Sequence, residues 1–223
     1  ASRGGSYQKH ASRPFATTTI EEAQYGTLLP EDGQVPDVNL GLYSVTFNND
    51  LDADWFSLEQ FKDFRIEAAQ NGFRYFLEVF NPNVQDCGIP DDQIGNFVVD
   101  NIARMLAGIP RASRPEFLKI AYNGPESMEA LVTYDPSVIV GILGGVTSTT
   151  YDAYKLIAEA KKYGSRVALF GRRIKGAENP RVFVETLREV ADGNVEPEEG
   201  VRIYRDELGK LGIPPARTIV DDM

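Results

Sequence analysis

Short apolar runs alternate with longer amphipathic segments along the chain from residue 41 onward. The runs predict five β-strands, at Leu42–Phe47, Tyr75–Phe80, Phe117–Tyr122, Val138–Leu143 and Val167–Phe170. Each run is hydrophobic on both faces, as is typical of parallel strands that are covered by helices. Because the connections between strands and helices are short, the alternation predicts a parallel sheet.

The segments that separate and follow the runs have helical periodicity and helix-terminal signals. Ser57 is a suitable N-cap, and Gly72 and Gly164 each follow a periodic segment as a stop signal. Thr149 or Thr150 is a second N-cap. The predicted helices are Ser57–Gln70, Asp91 or Asp92 to Leu106, Glu126–Thr133, Tyr151–Tyr163, Pro180–Ala191 and Pro197–Leu211. Residues 1–40 are rich in Ser, Thr, Gly and Pro, which predicts loops and short irregular structure.

This order of elements fits both an open doubly wound sheet and a closed (β/α)8 barrel. The barrel is favoured by the last two strands, which end in Gly-Gly and Gly-Arg before a helix. A barrel needs eight strands, so the sequence predicts that about three precede residue 1 or that residues 1–40 hide one. We therefore expect residues 41–223 to form the C-terminal part of a single TIM barrel domain.

Composition excludes several classes of function. The formal charge of −10 over 223 residues argues against nucleic acid as the main partner, which needs clustered Lys and Arg. No apolar run is long enough to cross a membrane. Cys87 is the only cysteine, which fits a reducing cytoplasm. Since His10 is the only histidine, a zinc site of several His and Cys is excluded, and we expect no metal or cofactor.

Two consecutive strand ends carry an anion-binding pattern. Gly144 and Gly145 follow the fourth predicted strand and precede a capped helix, so backbone and helix N–H groups can approach a ligand. Gly171 and Arg172 follow the fifth strand, and Arg173 comes next. Two such loops in succession form the phosphate site of many barrels. The alternative is that the glycines only permit tight turns and the arginines are solvated.

Lys119 is a cation within an apolar strand. Side-chain alternation places Lys119 on one face, and Leu118, Ile120 and Tyr122 on the other. The apolar face suits packing against helices, so Lys119 is expected to point into the barrel. A desolvated amine can attack a carbonyl and form a Schiff base. The alternative is a structural salt bridge to Glu78 on the neighbouring strand, without chemistry.

These residues together resemble a known family. From about Tyr75 to Asp192 the chain is similar to the archaeal-type class I fructose-1,6-bisphosphate aldolases, which have an aldolase-type barrel. The resemblance lies in Lys119-Ile-Ala-Tyr-Asn-Gly124, in Gly144-Gly145 and in Gly171-Arg172-Arg173. It implies that Lys119 is the Schiff-base nucleophile. It also implies that Gly144, Gly145, Gly171 and Arg172 hold a substrate phosphate.

The chain departs from the family pattern at one position. The family places its proton-transferring tyrosine on the strand before the lysine, and the matching residue here is Phe80. Because Phe80 cannot transfer a proton, that role must pass to Glu78, Tyr122 or a water molecule. The aspartate that the family uses on its first strand has no identifiable counterpart in this chain.

Three functional hypotheses follow. The first is a Schiff-base aldolase that acts on a phosphorylated sugar or keto compound, with Lys119, Glu78 and Tyr122 as catalytic residues. The second is a catalytically retired barrel that binds a phosphorylated metabolite. The third is a sugar-phosphate isomerase or epimerase that uses Glu78. Thr46, Asn48 and Arg173 are weaker substrate-binding candidates. A homo-oligomer is compatible with the fold, although the sequence offers no interface residue.

Overall fold

The computed structural model describes residues 9–84, 86–145 and 147–223. The first eight residues of the predicted irregular segment and Val146 of the loop after the fourth predicted strand therefore lie outside the described residues. The strands are β1 (Leu40–Thr46), β2 (Arg74–Phe80), β3 (Leu118–Ile120), β4 (Val140–Leu143) and β5 (Val167–Leu169). All five predicted strands are confirmed, with ends that differ by at most two residues.

The helices are α1 (Ile20–Tyr25), α2 (Leu51–Gln70), α3 (Ile94–Ala107), α4 (Pro125–Tyr134), α5 (Thr150–Lys162), α6 (Arg172–Lys175), α7 (Pro180–Ala191), α8 (Pro197–Lys210) and α9 (Ile219–Asp222). The six predicted helices are present in the predicted order, and the described residues contain three short helices that were not predicted, α1, α6 and α9. Single turns of 3₁₀ helix precede α3 and β3, at Asp91–Gln93 and Arg111–Ser113. Among the helices described, none combines the length and apolar character that a membrane span requires.

The sheet has the order expected of a barrel. Its strands are parallel and lie in the sequence order β1-β2-β3-β4-β5, so each new strand adds to the same side. A doubly wound sheet would reverse direction at one strand. Right-handed crossovers then place the covering helices on one face of the sheet. Within the described residues the sheet is open, because β1 and β5 do not pair.

The start of α2 was predicted wrongly. The helix begins at Leu51, with Asp50 as N-cap accepting a hydrogen bond from the N–H of Ala53 at 2.9 Å. Ser57 lies inside the helix, where its buried hydroxyl donates to the carbonyl of Ala53. The first turn was not predicted because Leu51 and Trp55 are exposed, so this turn lacks the usual buried apolar face.

Helix α5 begins as predicted. Thr149 is its N-cap, and a capping box joins the Thr149 and Asp152 side chains to each other's backbone N–H groups. Gly164 follows the helix with φ of 101°, a conformation that favours glycine. In the predicted irregular segment, the described part contains α1, and β1 begins one residue earlier than residue 41. The domain boundary itself stays a prediction.

The two faces of the sheet differ in chemistry. Leu77, Val79, Leu118, Ile120 and Ile142 are buried and belong to the main hydrophobic core, which the covering helices complete. Side-chain alternation places the intervening residues on the opposite, inner face. This inner face therefore carries the side chains that form the candidate site.

We predict that Leu77→Ala will lower the free energy of unfolding by about 2–5 kcal/mol, since it leaves a cavity in the core. Leu77 is fully buried, whereas Leu29 is 86% exposed. Leu29→Ala is the matched control and should change stability by no more than about 0.5 kcal/mol. Urea denaturation followed by circular dichroism measures both, and equal effects would contradict the assignment of this core.

Candidate active site

A row of polar side chains crosses the inner face of the sheet. The strand register places Ser44 of β1 beside Glu78 of β2, and Glu78 beside Lys119 of β3. The ammonium nitrogen Nζ of Lys119 lies 2.6 Å from Oε1 of Glu78. The hydroxyl of Ser44 donates to Oε2 of Glu78 at 3.1 Å. Both carboxylate oxygens of Glu78 are therefore bound by neighbouring strands.

Aromatic and apolar groups surround this polar row. Below it, the rings of Phe76 and Phe117 stack with centroids 4.6 Å apart. Above it, Phe80 is 39% exposed, while Glu78 is only 5% exposed. Charged groups in such surroundings are stable only when paired, and the Lys119–Glu78 ion pair satisfies this requirement. The structure contains the predicted salt bridge, which is compatible with both the catalytic and the structural interpretation of Lys119.

The ion pair opens into a cleft of about 360 Å³. The lining includes Glu78, Phe80 and Lys119. It also includes all four residues that were predicted to bind phosphate, namely Gly144, Gly145, Gly171 and Arg172. The amine and the two glycine-ended loops, which lie far apart in the chain, therefore border one cavity.

The glycines of these loops have different structural roles. A Cβ atom on Gly144 would lie 2.5 Å from Cδ1 of Phe170, so a side chain is excluded by the core. Gly145 has φ of 57°, which L-residues rarely adopt. Gly171 has no described atom within 4 Å of its Cβ position and has negative φ. The protein itself therefore requires glycine at Gly144 and Gly145, but not at Gly171.

Three backbone N–H groups at the start of α5, in the region predicted to face an anion, donate to carboxylates of the protein. The N–H of Thr150 donates to Oδ1 of Asp222 at 2.8 Å. The N–H groups of Ser148 and Thr149 donate to Oδ2 of Asp152. Protein carboxylates therefore take these three donors, and the cleft lining offers the glycine backbone and the cations of Lys119, Arg172 and Arg173.

The two consecutive arginines both line the cleft, but their guanidinium groups differ in their protein partners. Arg172 is exposed at the cleft and forms no ion pair within the described residues. The guanidinium of Arg173 donates to Oγ1 of Thr150 at 2.6 Å and lies 3.9 Å from Asp222. It also packs over the ring of Phe183. The guanidinium of Arg172 is thus available to a ligand, whereas that of Arg173 contacts Thr150 and Asp222.

Tyr122 lies on the opposite side of the sheet from Lys119. Burial is the main reason that its pKa rises to about 12, and the further contributions come from Glu159, Tyr163 and Glu129 on the helix side. Its hydroxyl is buried and has no hydrogen-bond partner among the described residues. This position gives no support to the predicted catalytic role, because alternation along β3 directs Tyr122 away from the amine.

Thr46 and Asn48 occupy different positions at the end of β1. Thr46 lines a second cavity of about 590 Å³, which shares Phe80 with the cleft. Asn48 is buried, and its amide donates to the carbonyls of Thr46 and Ser12. Asn48 therefore fixes the N-terminal segment against the end of β1, while Thr46 faces a space that a ligand can enter.

Two residues of the site were missed by sequence reasoning. Ser44 binds Glu78, and Gly141 lies opposite Lys119 in the β3–β4 register. A Cβ atom on Gly141 would lie 2.9 Å from Cβ of Val167, so a side chain has no room there. A signal was present, since Ser44 interrupts an apolar strand two residues before Thr46, on the same face. Its partner depended on the register between β1 and β2.

Three solved structures of similar fold are fructose-1,6-bisphosphate aldolases. A Schiff-base-forming fructose-1,6-bisphosphate aldolase, studied through its reaction intermediates, matches 82% of this chain with a TM-score of 0.61 and 17% identity. An archaeal fructose-1,6-bisphosphate aldolase matches the same share with a TM-score of 0.61 and 18% identity. An archaeal aldolase with its catalytic lysine bound to a carbinolamine intermediate matches 82% with a TM-score of 0.60 and 18% identity.

These similarities establish the fold. The match spans 66% of the first and third structures and 67% of the second, so this chain covers about two thirds of their length. The expected aldolase-type barrel fold is confirmed, with five of its strands in the described residues. No family model matches the sequence, and the curated proteins give no significant match. At identities below 20%, the similarity does not assign activity to this chain.

We predict opposite outcomes for alanine at two glycines of the cleft. Gly144→Ala should lower the free energy of unfolding by about 1–3 kcal/mol, because its methyl group overlaps Phe170. Gly171→Ala should change it by no more than about 0.5 kcal/mol, because its methyl group meets open space. Thermal and urea denaturation measure both variants. A destabilised Gly171→Ala variant would show that the cleft is filled by protein atoms.

Proposed function

We propose that this protein is a class I aldolase-like lyase that forms a Schiff base between Lys119 and a phosphorylated sugar or keto compound. The observation that carries the proposal is the shared cleft, in which the Lys119 amine and the two glycine-ended loops face the same space. A phosphate bound at the loops would hold a substrate carbonyl near the amine. Such positioning replaces a bimolecular encounter with an intramolecular attack.

The proposed chemistry begins with loss of a proton from Lys119. The neutral amine attacks the carbonyl carbon, the carbonyl oxygen takes up a proton, and loss of water from the carbinolamine gives an iminium ion. A proton then leaves the hydroxyl group of the carbon β to the iminium. The carbon–carbon bond breaks, its electron pair neutralises the iminium as an enamine, and an aldehyde is released. Protonation and hydrolysis of the enamine regenerate the amine.

Glu78 is the proposed proton-transfer residue. Its Oε1 lies 2.6 Å from the lysine nitrogen, so it can accept the ammonium proton without a change of side-chain position. Ser44 donates to the other carboxylate oxygen and fixes the orientation of the carboxylate. This arrangement supplies an acid–base group on the strand where Phe80 replaces the tyrosine of the resembling family. Tyr122 is left out of the proposal because it lies on the helix side.

The proposed phosphate site consists of the Gly144, Gly145 and Gly171 backbone together with Arg172. Glycine allows a phosphate to approach the main chain, and a guanidinium can bind it through two hydrogen bonds. The solved aldolases of similar fold are named for a bisphosphorylated sugar, which supports a phosphorylated ligand here. A cytoplasmic location and self-association belong to the same proposal, with the lone Cys87 supporting the former.

We predict that sodium borohydride will trap a covalent adduct on Lys119 in the presence of a phosphorylated ketose. Reduction converts the iminium to a stable secondary amine, and mass spectrometry of tryptic peptides locates it. Lys119→Arg is the matched control, because arginine retains a cation for Glu78 but cannot form the iminium. Lys119→Met alone would leave Glu78 without its cation, at a cost of about 3–5 kcal/mol. The Lys119→Met/Glu78→Gln pair avoids that cost.

The outcome of trapping separates the enzymatic hypotheses. An adduct on another lysine, or none with any phosphorylated ketose, would refute the proposal. If isomerisation or epimerisation continued after borohydride treatment, a Schiff-base mechanism would be excluded and Glu78 would act as a base on its own. Glu78→Gln should reduce adduct formation strongly while leaving phosphate binding intact, since it removes only the proton acceptor.

The second candidate function is binding of a phosphorylated metabolite without turnover. It is favoured by the ion pair that holds Lys119 and by Phe80, which offers no proton.

We predict that Arg172→Ala will weaken binding of a phosphorylated ketose at least about tenfold, because a charge-assisted hydrogen bond contributes about 1.5–3 kcal/mol. Calorimetry measures the affinity. Arg181→Ala, on the exposed face of α7, is the control and should bind like the parent protein.

A further inference from the structure

Residues 216–223 contact three parts of the protein near the cleft: the residues before α7, the loop after β4, and α8. The N–H of Ala216 donates to Oε1 of Glu178, which precedes α7. The guanidinium of Arg217 donates to the carbonyl of Ser148 in the loop after β4. The guanidinium of Arg205 on α8 donates to the carbonyls of Arg217 and Thr218, at 2.6 and 2.9 Å.

Asp222 forms the innermost contact of this segment. It is only 4% exposed, and one oxygen accepts from the N–H of Thr150 at 2.8 Å. The same oxygen lies 3.9 Å from Arg173, and the other lies 3.5 Å from Arg205. Asp222 thus connects the first residue of α5 to the residue that follows Arg172.

These contacts span both glycine-ended loops. Thr150 ends the loop that begins at Gly144, and Arg173 follows the loop of Gly171 and Arg172. Arg173 also donates to the Thr150 hydroxyl, so carboxylate, guanidinium and helix start form one buried cluster. Asp222 therefore adds a second connection between the two loops beside the direct hydrogen bond from Arg173 to Thr150.

Polar contacts hold most of this segment in place. Val220 is 81% exposed and Ile219 is 44% exposed, so the apolar residues at the start of α9 contribute little burial. Met223 packs against the core, but it follows Asp222 directly. Removal of the Asp222 charge would leave the partly buried Arg173 and Arg205 without their carboxylate, which is costly.

We propose that Asp222 is a positioning residue for the cleft, and that segment 216–223 is a strap that fixes the two glycine-ended loops relative to each other. The proposal rests on the proposed phosphate site only for its functional consequence. An anion held by the backbone of two separate loops requires that their spacing be fixed to a fraction of an ångström. Asp222 provides this fixed spacing without touching the ligand.

The test uses the full chain with Asp222→Asn and its neighbour control Asp221→Asn. Asp221 is exposed and bonds only to Thr218 within the described residues, so both variants lose one charge from the same helix. We expect Asp222→Asn to raise hydrogen exchange at residues 147–150 and 171–175, while exchange in β2 and β3 stays unchanged. Inorganic phosphate should bind about tenfold more weakly, a change of about 1.4 kcal/mol.

Asp222→Glu serves as the conservative variant and should restore part of both properties, because it keeps the carboxylate. Asp221→Asn should resemble the parent protein in both measurements. Exchange that is unchanged in the two loops, or that rises equally throughout the sheet, would overturn the proposal, as would unchanged phosphate affinity in Asp222→Asn. Absence of phosphate binding in the parent protein, with loop exchange still raised by Asp222→Asn, would refute the phosphate site and retain the positioning role.

Discussion

The Lys119–Glu78 ion pair is the constraint on which the inner face of this sheet depends. A buried carboxylate and a partly buried ammonium each require a partner, and here adjacent strands supply one for the other. The pair works only in the observed register of β2 and β3, because a shift by one residue would direct one of the charges into the helix core. Ser44 extends the same constraint to β1. The register of three neighbouring strands is thus linked to one row of polar side chains.

This ion pair also determines which chemistry the cleft can support. A lysine that is held by a carboxylate is positioned and has a proton acceptor in contact, but it must lose its proton before it can act as a nucleophile. Entry of a ligand would displace water from the cleft and strengthen the electrostatic interactions within it. The same geometry therefore serves a Schiff-base enzyme and a binding protein, and the difference lies in whether Glu78 takes the proton.

The side of the cleft that carries the glycine-ended loops is bordered by carboxylates of the protein. Asp152 accepts from the N–H groups of Ser148 and Thr149 just before α5, and Asp222 accepts from the first N–H group of α5 and lies near Arg173. The glycine backbone and Arg172 line the cleft beside these contacts, together with Arg173 and Lys119. Helix N-termini are commonly anion sites, but here the favourable interaction is used within the protein.

Sequence patterns predicted all five strands, most of the described helices and part of the site. Runs of apolar residues located all five strands, because parallel strands are buried on both faces. The beginning of α2 was missed, since Leu51 and Trp55 are exposed and local capping by Asp50 sets the start. Alternation placed Lys119 and Tyr122 on opposite faces, and the surroundings of Tyr122 in the structure agree with this, so its predicted catalytic role has no support.

By itself, the sequence determined the order of strands and helices, the inward direction of Lys119 and the positions of Gly144 and Gly171 at two strand ends. These features follow from local periodicity and from backbone conformations that glycine permits. Only the tertiary structure decided that Ser44 binds Glu78 and that Asp222 occupies the start of α5. Such contacts join residues 34 and 72 positions apart, and they depend on strand register and on the path of the last segment across the barrel rim.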